Sequence, residues 1–227
     1  IEACAVFAPL HNPAAVMGIK ACLELMPETP MTAVFDTAFH QTMPKESYMY
    51  PIPKEYYEKY GIRKYGAHGT SHKYVANRLA ELINKPIEEL KIVTCHLGQG
   101  ASICAINGGK SIDTSMGLSP LGGIAMVTRS GDLDPSIVTD IMEKENLSAK
   151  EVNSLLNKKS GLLGVSGISS DSRDVENAAN EGHERSILAQ NIYAQKIANY
   201  IAMYNNMLGG ADVITMTAGL GERAIEM

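Results

Sequence analysis

The sequence predicts an α/β fold, and three observations carry that reading. Residues 91–114 form a glycine-turned strand meander. Residues 184–208 hold the longest helical pattern of the chain, and a last apolar strand-like run, 211–217, follows it directly. Strands that lead into and out of long helices are the pattern of sheets covered by helices.

The elements follow in order. Val16, Ile19, Leu23 and Met26 recur at helical spacing, and Pro27 and Pro30 end that helix. Residues 31–35 read as a short buried strand that delivers Asp36 at its C-terminal end. Residues 40–62, rich in Pro and Tyr, read as irregular. A helix is expected near 71–83, and the stretch 84–90, with Pro86, connects it to the meander. There, 91–96 is a strand, 97–100 a tight turn and 101–106 a second strand. Asn107-Gly108-Gly109 is a hairpin turn, because Asn and Gly accept positive φ. Residues 110–114 are the third strand. Two helices are expected over 135–160. Ser148 and Glu151 form a capping box for the second, and Gly161 stops it. A glycine-rich loop covers 161–170. The helix 184–208 ends at Gly209-Gly210, and the buried strand 211–217 runs into a glycine-rich turn over 218–222. No 20–50-residue repeat interrupts this order.

Composition bounds the function. The 227 residues suffice for one large domain or two small ones, and 45% apolar residues give a sizeable core. A net charge of −5 argues against a protein that wraps a polyanion. No apolar run has the roughly 18 residues of a membrane span. No secretory signal is visible, and Cys4, Cys22, Cys95 and Cys104 form no C-x-x-C pair. These features predict a cytoplasmic protein with free thiols. The absent initial Met and the abrupt stop after a glycine-rich turn read as cuts at both ends.

Two strand-to-glycine turns are the first chemical signal: Leu97-Gly98-Gln99-Gly100 and Ala218-Gly219-Leu220-Gly221. Glycine lets backbone N–H groups approach a phosphate closely. Neither turn has the dinucleotide fingerprint, and Gly109-Lys110-Ser111 lacks the upstream glycine and the helix of a P-loop. His68 and His72 stand four apart without the Glu of a zinc-protease helix. The pair suits a donor to an anion at the N-terminus of the following helix, or a satisfied loop histidine. Asp132 or Asp134 caps the helix at Pro135, which leaves Arg129 as a clamp for phosphoryl oxygens or as half of an exposed ion pair. Asp171-Ser172-Arg173 has the same two readings. Asp36, at the carboxyl end of a strand, lies where ligands of α/β sheets gather.

Together these motifs resemble the acetate/propionate kinase family of carboxylate kinases. The matching stretches are APLHNP (8–13), VFDTAFHQTMP (34–44), YGAHGTSH (65–72), HLGQGAS (96–102), DTSMG (113–117), TRSGD (128–132) and TAGLGE (217–222). The resemblance implies actin/hexokinase/Hsp70-like lobes of ribonuclease-H-like topology. Residues 1–39 would be the C-terminal part of the first lobe, which is partial. Residues 40–227 would be most of the second, nucleotide-binding lobe. It implies reversible Mg²⁺-dependent phosphoryl transfer from ATP to acetate, giving ADP and acetyl phosphate, in a homodimer with no nucleic-acid or membrane partner.

Residue by residue, the resemblance implies that Asp36, His68 and Arg129 are catalytic. His96, Leu97, Gly98, Gln99 and Gly100 would form a nucleotide-phosphate loop. Asp171, Ser172 and Arg173, with Gly219, Leu220, Gly221, Glu222 and Arg223, would contact nucleotide. Leu10, Ala67 and Pro120 would line the pocket for the acyl methyl group. A carboxylate is ionised at neutral pH and needs no general base, so Asp36 suits orienting Arg129 or a water on Mg²⁺ better than proton abstraction. Gln99 stands where the family usually has Asn, and Ala67 where members commonly have Phe. The smaller Ala67 predicts a wider pocket and good use of propionate. The family's metal-binding Asn and Glu and its carboxylate-gripping Arg fall outside this sequence, so no metal ligand is assigned and the chain alone is expected to be inactive. A propionate or butyrate kinase and a non-catalytic nucleotide-binding module are the rival readings.

Overall fold

The computed structural model describes residues 1–5 and 12–223. Helix α1 (Asn12–Leu25) is followed by two short helices, α2 (Lys45–Tyr48) and α3 (Glu55–Tyr60), and then by α4 (Gly69–Leu82). Strands β1 (Lys91–Leu97), β2 (Ala101–Asn107) and β3 (Lys110–Thr114) come next. Five helices follow: α5 (Pro135–Glu145), α6 (Ala149–Lys158), α7 (Gly161–Ser166), α8 (Ser172–Asn180) and α9 (Glu184–Met207). Strand β4 (Val213–Thr217) and helix α10 (Ala218–Arg223) close the order.

The four strands form one sheet in the order β3-β2-β1-β4. β1 pairs antiparallel with β2 and parallel with β4. β1 is buried on both faces because successive side chains alternate between them. Val93, Cys95 and Leu97 join the core shared with Tyr204 and Leu208 near the end of α9. Ile92 joins Ala76 and Ala80 of α4 on the opposite face, with Cys104 and Ile106 of β2. The sheet is therefore held between α4 and α9.

Local chemistry explains where the helices begin. Asp134 accepts from the N–H of Ser136 at 2.9 Å, with Pro135 in the first turn of α5. At α6, Ser148 accepts from the Glu151 N–H at 3.3 Å, while Glu151 accepts from the Ser148 N–H at 2.8 Å. This reciprocal capping box satisfies two otherwise orphaned donors.

Several expectations are corrected. Residues 31–35 form no strand, and Val34 and Phe35 lie exposed, because none of the described residues offers them a ladder partner. Residues 40–62 include two short helices. The span 161–170 opens on helix α7, which Gly161 starts at φ +61° rather than merely stopping the helix before it. β4 is an edge strand with alternating exposure, so Ile214 and Met216 face outward. The segment after β4 is the helix α10 instead of a turn. α1 forms at the expected spacing but buries no residue, with Met17, Leu23 and Leu25 exposed. Among the described residues no helix is long and apolar enough to cross a membrane.

Candidate active site at the carboxyl ends of β1 and β4

The parallel pairing sets His96 beside Thr217, so β1 and β4 end together. The glycine segment after β1 and the start of α10 are consequently neighbours. A Cβ placed on Gly98 would lie 3.7 Å from that of Ala218, and one on Gly221 would lie 3.5 Å from that of Leu97. The two glycine-rich segments thus form one surface at the carboxyl edge of the sheet, where α/β folds place their ligands.

His68 reaches this surface from the N-terminus of α4. Its backbone is left-handed, at φ 57°. The Asp36 carboxylate holds that turn by accepting from the His68 N–H at 2.6 Å and the Thr70 N–H at 3.4 Å. The Asp36 carbonyl also takes the Gly69 N–H, at 2.8 Å. A Cβ on Gly69 would fall 2.3 Å from that carbonyl oxygen, so only glycine permits the contact. Asp36 therefore acts on His68 through its backbone. It forms no ion pair with Arg129, so of the two expected roles, orienting that guanidinium or a water on Mg²⁺, the first has no direct contact behind it.

The His68 ring stacks on His96, with centroids 4.1 Å apart and planes 23° apart. Its Nδ1 lies 2.8 Å from the Ser102 hydroxyl. The same hydroxyl lies 2.8 Å from Nε2 of His72, whose Nδ1 lies 2.6 Å from the Thr94 hydroxyl. His96 Nδ1 meets the Ser71 hydroxyl at 2.8 Å. His40 sits beneath, with Nε2 donating to the Ala67 carbonyl at 2.9 Å and Nδ1 2.9 Å from the Ser111 hydroxyl. Burial, and then the neighbouring His96, push His68 down to about 4 against the opposing pull of Asp36. Burial also lowers His40, His72 and His96. At neutral pH His68 is an uncharged hydrogen-bonding group.

Arg129 approaches from the other side. Backbone bonds fix its loop between two helices: Ser130 N–H to the Leu156 carbonyl at 3.0 Å, and Leu162 N–H to the Met126 carbonyl at 3.0 Å. Nη1 donates to the Pro120 carbonyl at 3.2 Å and more weakly to Met126 Sδ at 3.8 Å. None of the ion pairs among the described residues includes Arg129. Asp132 is otherwise engaged. It accepts from the Gly123 N–H at 2.7 Å and from the Tyr200 hydroxyl.

His68 and Arg129 converge at Gly100. A Cβ there would lie 3.2 Å from Arg129 Nη1 and 3.4 Å from His68 Nε2. A guanidinium without a carboxylate and an imidazole nitrogen thus border one small space that glycine leaves open. Such an arrangement suits an anionic oxygen.

The remaining expected site residues divide. Gly100 borders this space, His96 stacks on His68, Leu97 packs in the main core and Gln99 is exposed, while the Pro120 carbonyl accepts directly from Arg129. Gly219 faces open space, while Glu222 accepts from the Thr217 hydroxyl at 3.2 Å. Leu220 packs against the main core. Arg223 ends α10. Ala67 is buried against the same core. Asp171 caps α8 and pairs with Arg173 at 2.5 Å, an exposed ion pair beside Ser172. Leu10 lies outside the described residues. Thr94, Ser102 and His40 have no role in the sequence reading, and His72, there paired with His68 as a donor to an anion or a satisfied histidine, is buried on Thr94 and Ser102. Their signal was the alternation that puts polar Thr94, His96 and Ser102 on one face of otherwise apolar strands.

Comparison with known proteins shows the family. The family model described as the Acetokinase family covers residues 1–227. The chain is 63% identical over 228 residues to an acetate kinase of Thermoanaerobacter pseudethanolicus, and 61% identical over 227 residues to one of Halothermothrix orenii. Each match takes in 100% of this chain and 57% of the relative, so the chain spans little more than half the length of these curated relatives. Among solved structures, a Porphyromonas gingivalis acetate kinase matches with a TM-score of 0.94 at 47% identity, over 98% of this chain and 56% of that one. A Francisella tularensis propionate kinase matches with a TM-score of 0.94 at 47% identity, over 98% and 57%. The fold is accordingly the α/β, actin/hexokinase-like architecture expected, in part. With the whole length of the sequence matched, the chain belongs to the Acetokinase family.

Proposed function

We propose that this chain carries the phosphoryl-transfer centre of an acetate kinase. The observation that carries the reading is the convergence of Arg129 Nη1 and His68 Nε2 on the space at Gly100. In this reading an acetate oxygen attacks the γ-phosphorus of ATP in line. The new P–O bond gives acetyl phosphate, and the bond to the departing ADP oxygen breaks. No proton need be removed from the nucleophile. The protein's work is to position the reactants and to offset charge on the equatorial oxygens. Arg129 supplies the positive charge, and neutral His68 donates a hydrogen bond. The paired glycine segments 98–100 and 219–221 leave room for nucleotide phosphates beside them.

Mg²⁺ belongs to the reading as a companion of the nucleotide. Among the described residues no three His, Cys, Asp or Glu side chains are placed to hold a metal ion together, and both Asp36 oxygens accept backbone N–H groups. They do not fit a dedicated metal cage, and no step is assigned to a metal. The reading also takes Asp171, Ser172 and Arg173, with Gly219 to Arg223, as nucleotide contacts. It divides the chain into lobes at 1–39 and 40–227. A homodimer in the cytoplasm, acting on acetate or another short carboxylate, completes it. The relatives at about 60% identity carry the name acetate kinase, which favours acetate over propionate.

The test is ATP-dependent acyl-phosphate formation, trapped with hydroxylamine. It is run on this chain and on a protein that carries it at the full length of its relatives. Hydroxamate from acetate and ATP by the longer protein supports the reading, and none from acetate, propionate or butyrate overturns it.

A further inference from the structure

A count of buried donors settles which nitrogen of His68 carries its proton. Ser102, His72 and Thr94 are buried, with relative exposures of 0%, 1% and 0%. The contacts run in series from Thr94 Oγ1 to His72 Nδ1, from His72 Nε2 to Ser102 Oγ, and from Ser102 Oγ to His68 Nδ1. No other hydrogen bond is found for the Thr94 or His72 side chains among the described residues. Each neutral imidazole has one donor and one acceptor nitrogen. If His72 carried its proton on Nδ1, the Thr94 hydroxyl would have no acceptor. If His68 carried its proton on Nδ1, either the Ser102 hydroxyl would have no acceptor or His72 would revert to the first case. A single arrangement satisfies every buried donor. Thr94 donates to His72 Nδ1, His72 Nε2–H donates to Ser102, and Ser102 donates to His68 Nδ1.

We propose that the buried Thr94–His72–Ser102 relay fixes the Nε2–H tautomer of His68, so that this N–H faces the space shared with Arg129, and that His72 is a positioning residue for it. An orphaned buried donor shifts the tautomer ratio by roughly five- to 150-fold, the equivalent of about 1–3 kcal/mol. The burial that keeps His68 and His72 uncharged makes the relay effective, because each ring retains one acceptor nitrogen. The relay runs from the sheet through Ser102 to the ring, whereas Asp36 holds the backbone of the same residue. Ring orientation and proton placement are thus set by separate elements. The assignment of the proton stands independently of the phosphoryl-transfer reading; only its consequence for turnover rests on that reading.

Long-range ¹H–¹⁵N correlation on the full chain, labelled at histidine and recorded near pH 7.5, reads tautomers directly. Loss of one ring's signals in His68→Gln assigns His68, and loss of another's in His72→Gln assigns His72. Both rings should show a protonated Nε2 and a bare Nδ1. In Ser102→Ala the Nδ1–H share of His68 should rise severalfold, and in Thr94→Ser the parent pattern should persist. A His68 protonated on Nδ1 in the parent chain overturns the proposal, and this spectrum decides even where a variant does not fold. An unmoved tautomer ratio in folded Ser102→Ala also overturns it. Absence of kinase activity in a protein of the relatives' full length, with the Nε2–H pattern intact, would instead count against the phosphoryl-transfer reading alone.

Discussion

His68 and His96 lie face to face, with ring centroids 4.1 Å apart and planes 23° apart. Two imidazoles at that separation resist becoming cations together, and burial disfavours charging either one.

The first prediction concerns acid. His68 is held at about 4 in the fold against 6.5 as a free side chain, so the unfolded chain binds the proton first as pH falls. Stability is fully present above about 6.5, declines as pH drops through the window from 6.5 to 4, and rises again with pH. His40, His72 and His96 are shifted in the same direction and steepen the loss. His68 alone contributes about 3 kcal/mol across that window. Denaturant midpoints measured from pH 7.5 to 4.5 should fall most between 6.5 and 4.5, and a flat profile there would remove the neutral cluster from the account.

Gly100→Ala should leave the fold largely intact, since the new methyl meets only the ends of side chains, at 3.2 and 3.4 Å. It fills the space that Arg129 and His68 border. Turnover should fall by about 10²-fold, the cost of displacing reacting groups by about 1 Å. Thermal melting beside the hydroxamate assay checks both halves. Unchanged turnover in a folded variant would place the reaction elsewhere.

Asp36 holds the start of α4 through two backbone N–H groups. Asp36→Ala should cost about 1 kcal/mol of stability, as loss of a helix cap does, whereas Asp36→Asn keeps an acceptor and costs a few tenths. Both should lower turnover, because both loosen the turn that aims His68. Equal stability of the two variants in urea titration would contradict the capping role.

Ala67 bears on substrate size. Ala67 is buried in the main core; if, as the family resemblance implies, it lines the acyl pocket in place of a Phe, propionate should be used nearly as well as acetate. The ratio of kcat/KM for the two acids measures this, and a strong preference for acetate would refute it. A single methylene in an apolar pocket is worth about 1–3 kcal/mol, so the ratio has ample range to report on the pocket.

Most of the sheet was legible before the structure. The meander 91–114 carries its own turn chemistry, and β1 to β3 appear where Gly and Asn predict them. Helix α6 was marked by Ser148 and Glu151, and α9 by its long apolar period. What failed depended on partners far along the chain. Residues 31–35 have the composition of a strand but no neighbour to pair with among the described residues. β4 reads as buried, yet its position at the sheet edge exposes every second residue.

The site divides in the same way. His68, Arg129 and the segment 96–100 stood out because charge and glycine are visible in one dimension. The Ser102 and Thr94 hydroxyls did not, because their roles arise from a hairpin register and from a helix laid across it. Asp36 was recognised, but its attachment to the His68 backbone required the fold.

The central claim is that Arg129 and His68 together offset the charge of a phosphoryl group in transfer. It is tested most directly by steady-state turnover of Arg129→Ala in a protein of the relatives' full length, with nucleotide affinity measured alongside. The account predicts a fall in kcat of about 10²–10³, the usual effect of removing one preorganised donor, with ATP affinity close to that of the parent. Turnover close to the parent value in the folded variant would contradict it.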